Sequence, residues 1–142
     1  MKINYLILFA IGTMFFVSCK KEGCTDETAT NYNSDAGKDD ESCLYDGSLH
    51  VWLSQATADT LTATYPLDVW MGGASQGTIE EGTELSSAPS SCTAEAGTVL
   101  YTKNFQYDFS TTSVTVWDAN NVEVFRVSSA TIDRNACTKI KI

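Results

Sequence analysis

The chain has 142 residues, with eighteen Asp and Glu against nine Lys and Arg, a formal charge of −9 and a pI of about 4.3. That balance excludes nucleic acid as a partner, because phosphate binding draws on clustered basic residues, and it excludes docking on anionic headgroups through protein charge. The length suits one modest domain with a small appendage, and the Thr, Ser, Val and aromatic residues of the second half favour strands over helices.

Lys2 opens the chain with a positive charge. Residues 3–17 are almost wholly apolar, and the small Ser18 precedes Cys19. Such a run reads as a secretion signal, too short for a comfortable spanning helix and followed at once by polar residues. The ending Phe16-Val17-Ser18-Cys19 resembles the lipobox of bacterial lipoproteins. The resemblance implies removal of residues 1–18 as a signal peptide, acylation of Cys19, and attachment to a bacterial outer membrane through those acyl chains. Each buried methylene contributes about 0.8 kcal/mol, and lasting attachment takes more than one chain. Residues 19–23 become a lipidated tether. In Bacteroidetes lipoproteins, which the chain resembles, charged residues after the lipid-bearing cysteine direct export to the outer surface. Here Lys20 and Lys21 come first and acidic residues follow, so the cell surface is the expected location and a periplasm-facing one the alternative.

Export governs the reading of the other cysteines. With Cys19 assigned to lipid, Cys24, Cys43, Cys92 and Cys137 form an even set, which in an exported chain implies disulfides. Three pairings are open, and proximity favours Cys24–Cys43 with Cys92–Cys137. On the chain-entropy model the shorter loop is worth about 3 kcal/mol and the longer about 4 kcal/mol.

Residues 24–46 read as a separate acidic module closed by a disulfide. From Glu22 to Asp46 there are eight acidic residues and one lysine, and too few aliphatic residues for a core of its own. Cys24-Thr25-Asp26, Ala29, Asn31-Tyr32, Asp35-Ala36, Asp39-Asp40 and Ser42-Cys43 look like a short motif repeated in exported Bacteroidetes proteins, departing from it at Glu41, where glycine is usual. The motif is similar in flavour to thrombospondin type 3 repeats, which bind calcium. Calcium takes six to eight oxygen ligands, and Asp26, Asn31, Asn33, Asp35, Asp39 and Asp40 are the candidates. Asn31, Asn33 and Asp35 are spaced like the start of an EF-hand loop. Ala36 and Ser42 stand where that loop needs Gly and Glu, so it is not one. The competing reading is a solvated acidic linker without metal.

Residues 47–142 read as six or seven short strands. Leu49, Val51 and Leu53 alternate with polar or aromatic neighbours, as do Leu67, Val69 and Met71, then Phe105, Tyr107 and Phe109, then Val114 and Val116. Residues 122–127 are apolar on both phases, which predicts a central strand. The final run Thr138-Lys139-Ile140-Lys141-Ile142 predicts an edge strand whose lysines deter edge-to-edge pairing. Gly72-Gly73, Glu81-Gly82, Ala96-Gly97 and Asn120-Asn121 are turn signals, the last marking a hairpin. Residues 82–96 predict a long surface loop held by Cys92. The whole predicts an all-β fold, a small antiparallel β-sandwich preceded by the acidic module. It more loosely resembles the small β-sandwich domains of lipoproteins from the same bacteria.

Trp52, Trp70 and Trp117 fall on the polar phase of their strands, which predicts three indoles on an outer face. They make either a platform for a sugar ring or protein partner, or packing at sheet edges and beneath the loop 82–96. His50 is the only histidine, and neither a Gly-x-Ser-x-Gly elbow nor a phosphate-binding glycine loop is present. The expectation is therefore a lipid-anchored, non-catalytic binding module with a glycan or protein ligand. Self-association into an extracellular fibre or coat is the alternative, and a hydrolase comes third.

Overall fold

The computed structural model describes residues 20–142. Cys19 and residues 1–18, where the signal peptide is expected, lie outside the described residues. The strands are β1 (Tyr45–Trp52), β2 (Leu67–Met71), β3 (Ala74–Ile79), β4 (Thr98–Phe105), β5 (Phe109–Trp117), β6 (Glu123–Asp133) and β7 (Cys137–Lys141), with one short helix, α1 (Gln55–Ala58), after β1. They form a three-stranded sheet in the order β4-β1-β7 and a four-stranded sheet in the order β3-β2-β5-β6. The fold is a small all-β sandwich.

Its core follows the period-two pattern. Leu49 and Val51 of β1, Leu67, Val69 and Met71 of β2, and Val114 and Val116 of β5 are almost wholly buried between the sheets, with Ile79, Ile132 and Leu53 beside them. Each such side chain contributes roughly 1.5–3 kcal/mol. Gly72 and Gly73, at φ 64° and 85°, make the two-residue turn that joins β2 to β3. Both torsions are positive, as a hairpin turn matching strand twist requires. Asn121, at φ 60°, lies in the predicted β5–β6 hairpin.

The structure corrects the expected strand layout at four places. First, β7 pairs with β1 in parallel, with Ser48 opposite Cys137 and Val51 opposite Ile140. The chain reaches β7 from β6 in the other sheet, and such a crossover returns it in the direction of β1. Second, Phe105, Tyr107 and Phe109 do not share a strand. β4 ends at Phe105 and β5 begins at Phe109, leaving Tyr107 and Phe109 exposed while Phe105 is buried. Alternation persists through a tight reversal, so period two alone does not mark the turn. Third, residues 123–127 open β6, an edge strand of the four-stranded sheet, and Val122 lies in the turn before it. Val122 is exposed, and the residues of β6 that enter the core are Ala130 and Ile132, further along. Fourth, β3 is a strand with a single buried residue, Ile79. Its sequence Ala-Ser-Gln-Gly-Thr-Ile carries almost no apolar signal, which suits an edge.

The predicted disulfides are both present, Cys24–Cys43 with its Cα atoms 4.8 Å apart and Cys92–Cys137 with its Cα atoms 6.1 Å apart. The second joins the irregular segment between β3 and β4 to the start of β7.

The acidic module is not a free spacer. Cys24, Ala29, Cys43 and Tyr45 form a small buried cluster, and Tyr45 is also the first residue of β1. The Tyr45 hydroxyl donates to Asp26 Oδ2 at 2.7 Å. Asn104 Nδ2 donates to Thr30 Oγ1 at 3.2 Å and Asn135 Nδ2 to the Thr28 carbonyl at 3.3 Å. Arg134 stands 4.8 Å over the Tyr45 ring and 3.8 Å from Asp26 Oδ2. The tether is bound as well. Gly23 N donates to the Lys38 carbonyl, Gly37 N to the Lys21 carbonyl, and Lys38 pairs with Glu22.

Candidate functional site

The two faces of the sandwich treat the tryptophans differently. Trp52, on β1, is 7 % exposed, which corrects the expectation of an outward-facing platform there. Residues 80–97 run over the outer face of the three-stranded sheet: Leu85 N donates to the Leu53 carbonyl, Gln55 N to the Leu85 carbonyl, and the Ser91 carbonyl meets His50. Trp52 and His50 are covered there, and Lys141 lies 5.8 Å from the Trp52 ring. This is packing beneath the loop, one of the two readings the sequence left open for the indoles.

Trp70 and Trp117 come together on the other sheet. β2 sends Leu67, Val69 and Met71 inward, so Asp68 and Trp70 stand on the outer face. Asp68 is the cross-strand partner of Trp117, and Thr115 that of Trp70. Partners in register share a face. Asp68, Trp70, Trp117, Asp118 and Asn121 line one cleft of about 330 Å³, at the small end of the ~300–1,000 Å³ range of ligand sites. Trp70 is 38 % exposed, an unusual position for an indole in a sheet with a complete core beneath it.

The polar groups of the cleft have distinct tasks. Asp68 accepts the indole N–H of Trp70 and the hydroxyl of Ser75, which fixes the angle of the ring. Asp118 is 7 % exposed. Its Oδ1 accepts the N–H groups of Asn120 and Val122, both at 2.8 Å, and its Oδ2 that of Thr64 at 3.3 Å. The Val122 amide leads the bonds that hold its carboxyl below the usual range. Asp118 therefore stays charged and shapes the hairpin from beneath. At the rim, Glu123 and Arg126 form an ion pair that lowers the Glu123 pKa and raises that of Arg126. They sit opposite Trp117 and Thr115 in register. Two indole faces, a fixed carboxylate and a planar ion pair can take a flat or ring-shaped ligand with an apolar face and hydroxyls at its edge.

The calcium candidates do not converge. Asp26 Oδ1 accepts the amide and hydroxyl of Thr28, and Oδ2 takes Tyr45. Thr28 and Tyr45 lower its pKa to about 2. The Asn31 side chain is used at both ends, donating to the Ser42 carbonyl and accepting from Leu44 N, both at 2.7 Å. Asn33 accepts from Asp35 N, Asp39 from Glu41 N and Asp40 from Ser42 N. Asp35 pairs with Lys21 at 3.5 Å. Among the described residues, the one group of three His, Cys, Asp or Glu ligand atoms close enough for a metal is His50, Cys92 and Cys137. The acidic side chains are engaged in turns and in docking, and among the described residues no three carboxylates of the module lie close enough to share an ion.

Sequence reasoning singled out the two indoles of the cleft but not Asp68, Asp118 or Asn121. A signal was present: Asp68 shares the phase of Trp70, and Asp118 follows Trp117 just before the turn. Neither residue type reveals its partner until the strands are paired. No family model, curated protein or solved structure matches the chain.

Proposed function

We propose that this chain is a non-catalytic binding module of a bacterial cell envelope, anchored in the outer membrane by lipid on Cys19 and taking a carbohydrate in the Trp70–Trp117 cleft. The observation that carries the reading is the pairing of two solvent-accessible indoles with Asp68 on one outer sheet face, Asp68 holding Trp70 in place. Indole faces stack on the C–H face of a sugar ring, and carboxylate and amide groups at the edge accept and donate to its hydroxyls. The secretion signal and lipobox-like ending of residues 1–19 support the envelope assignment.

The test is a glycan screen with the purified chain, followed by Trp70→Ala and Trp117→Ala. Each variant is expected to bind at least tenfold more weakly while keeping the melting temperature within a few degrees, because both rings lie outside the core. A screen without a ligand, or variants that bind as tightly as the parent, overturns the carbohydrate reading. Should the chain self-associate and the same substitutions abolish that, the cleft is a contact between copies of an assembly. For the anchor, labelled palmitate is expected to enter the parent chain and not Cys19→Ser, and external protease distinguishes surface from periplasmic display.

A further inference from the structure

His50 is wholly buried on the outer face of β1. Its Nδ1 lies 3.2 Å from the Ser91 carbonyl oxygen. A carbonyl only accepts, so Nδ1 carries the proton and donates it, and Nε2 keeps a free lone pair. Nε2 is buried and has no hydrogen-bond partner among the described residues. Buried polar atoms of folded proteins are nearly always partnered, so this lone pair calls for an explanation.

The imidazole also stands beside two sulfurs. A ring nitrogen of His50 and the sulfur atoms of Cys92 and Cys137 lie within 4.8 Å of one another. The strands bring them together. Cys137 opens β7 opposite Ser48, on the same outer face as His50. Cys92 follows Ser91, whose carbonyl orients the imidazole. Both cysteines are only half-buried, whereas the imidazole is wholly buried. Thiolate and imidazole together suit closed-shell thiophilic cations. An imidazole that donates its other N–H to a backbone carbonyl is the usual arrangement behind a metal-bound histidine.

We propose that His50, Cys92 and Cys137 form a thiol-gated site for a d10 cation, Cu(I) or Zn(II). The site is closed while the two sulfurs are bonded to each other, because the thiolate and not the disulfide sulfur is the ligand. A dithiol reductant opens it. Two electrons and two protons pass to the Cys92–Cys137 bond, giving two thiols, and the reductant leaves as its own disulfide. The cation then displaces both thiol protons to solvent and takes two sulfurs and the neutral His50 nitrogen. The sandwich core lies on the other face of the sheet and keeps β1 and β7 in place while the bridge is open. This site is separate from the Trp70–Trp117 cleft and stands whether or not that cleft takes a sugar.

The experiment uses the full chain in detergent, reduced with a dithiol, freed of it without oxygen, and titrated with Zn(II) or Cu(I) against a chromophoric chelator. The comparator is Cys92→Ser/Cys137→Ser, which retains Cys19, Cys24 and Cys43. The reduced parent is expected to hold one more ion per chain than the comparator, and the oxidised parent no more than it. The relative affinity in the two titrations identifies the cation. X-ray absorption at the metal edge is expected to show two sulfurs and one nitrogen on the additional ion, and His50→Gln to weaken it tenfold or more. Equal stoichiometry in parent and comparator overturns the site, as does unchanged affinity in a folded His50→Gln. Should that variant not fold, the absorption spectrum of the parent decides, and an all-sulfur or sulfur-free shell overturns the proposal. Equal binding by oxidised and reduced parent overturns the gate.

Discussion

Asp26 shows how much one carboxylate settles in a chain with few apolar residues near it. It closes a turn through Thr28, receives the Tyr45 hydroxyl at the base of β1, and faces Arg134 beyond the end of β6. Thr28 and Tyr45 hold its pKa at about 2, below the ordinary 3.8. A depressed carboxyl pKa stabilises the folded state fully above the unfolded value and progressively less as pH falls through the folded one. The docking of module on sandwich is thus expected to be constant above about pH 4 and to loosen as the pH drops towards 2. Amide exchange of residues 24–44 measures it. Asp26→Asn is expected to show the loosened pattern already at neutral pH, while the exchange of β2 and β5 stays unchanged. Uniform exchange across both regions would mean that Asp26 does not act locally.

At the scale of elements, the sandwich depends on one close approach. Gly47 of β1 lies so near β6 that an added Cβ would sit 2.5 Å from the Asp133 carbonyl oxygen and 2.6 Å from Ile132 Cγ2. Backbone cannot yield there as a flexible side-chain end could. Gly47→Ala is expected to cost about 1–3 kcal/mol, the range for overpacking, read as a lower urea midpoint with an unchanged slope. The same comparison of strands shows what a sequence reveals. Leu49, Val51, Leu67, Val69, Met71, Val114 and Val116 announce their burial because one face of each strand is apolar and the other is not. β3 announces nothing, since an edge strand with only Ile79 buried needs no apolar row. Residues 122–127 mislead because this end of β6 is only half-buried, with Val124, Phe125 and Val127 packed against the core while the fully buried residues, Ala130 and Ile132, lie further along. Parallel pairing of β7 with β1 has no local signature, because it is decided by a crossover between sheets. The cleft was legible as far as its indoles. Trp52 lay on the same phase as the others, but it belongs to the opposite sheet and is covered by the segment 80–97, a separation fixed by long-range pairing and bonds.

Across the whole molecule, two bridges serve different ends. Cys24–Cys43 closes a module whose only buried cluster contains both of its own sulfurs, Ala29 and Tyr45. Replacing both cysteines by serine is expected to cost about 3 kcal/mol of loop-closure stabilisation, confined to the module and read as rapid cleavage within residues 24–44 under limited proteolysis. The aspartates there are engaged in turns and in the Tyr45 contact. A chelator is therefore expected to leave the melting curve unchanged, and a shift of several degrees would show a bound cation in the module. The tether is strapped to residues 37–38. Residues 21–23 are therefore held against the module and do not run free of it.

The position of β1 has a consequence in time. It is the middle strand of its sheet, and both neighbours, β4 and β7, come later in the chain. As the polypeptide emerges from its N-terminus, the acidic module has its buried cluster by Tyr45, but β1 has no partner until residue 98 and only one until residue 137. Long-range pairings of this kind form slowly and late. A chain threaded outward would carry β1 uncovered through most of its passage, and the final five-residue strand would act as the latch that seals it.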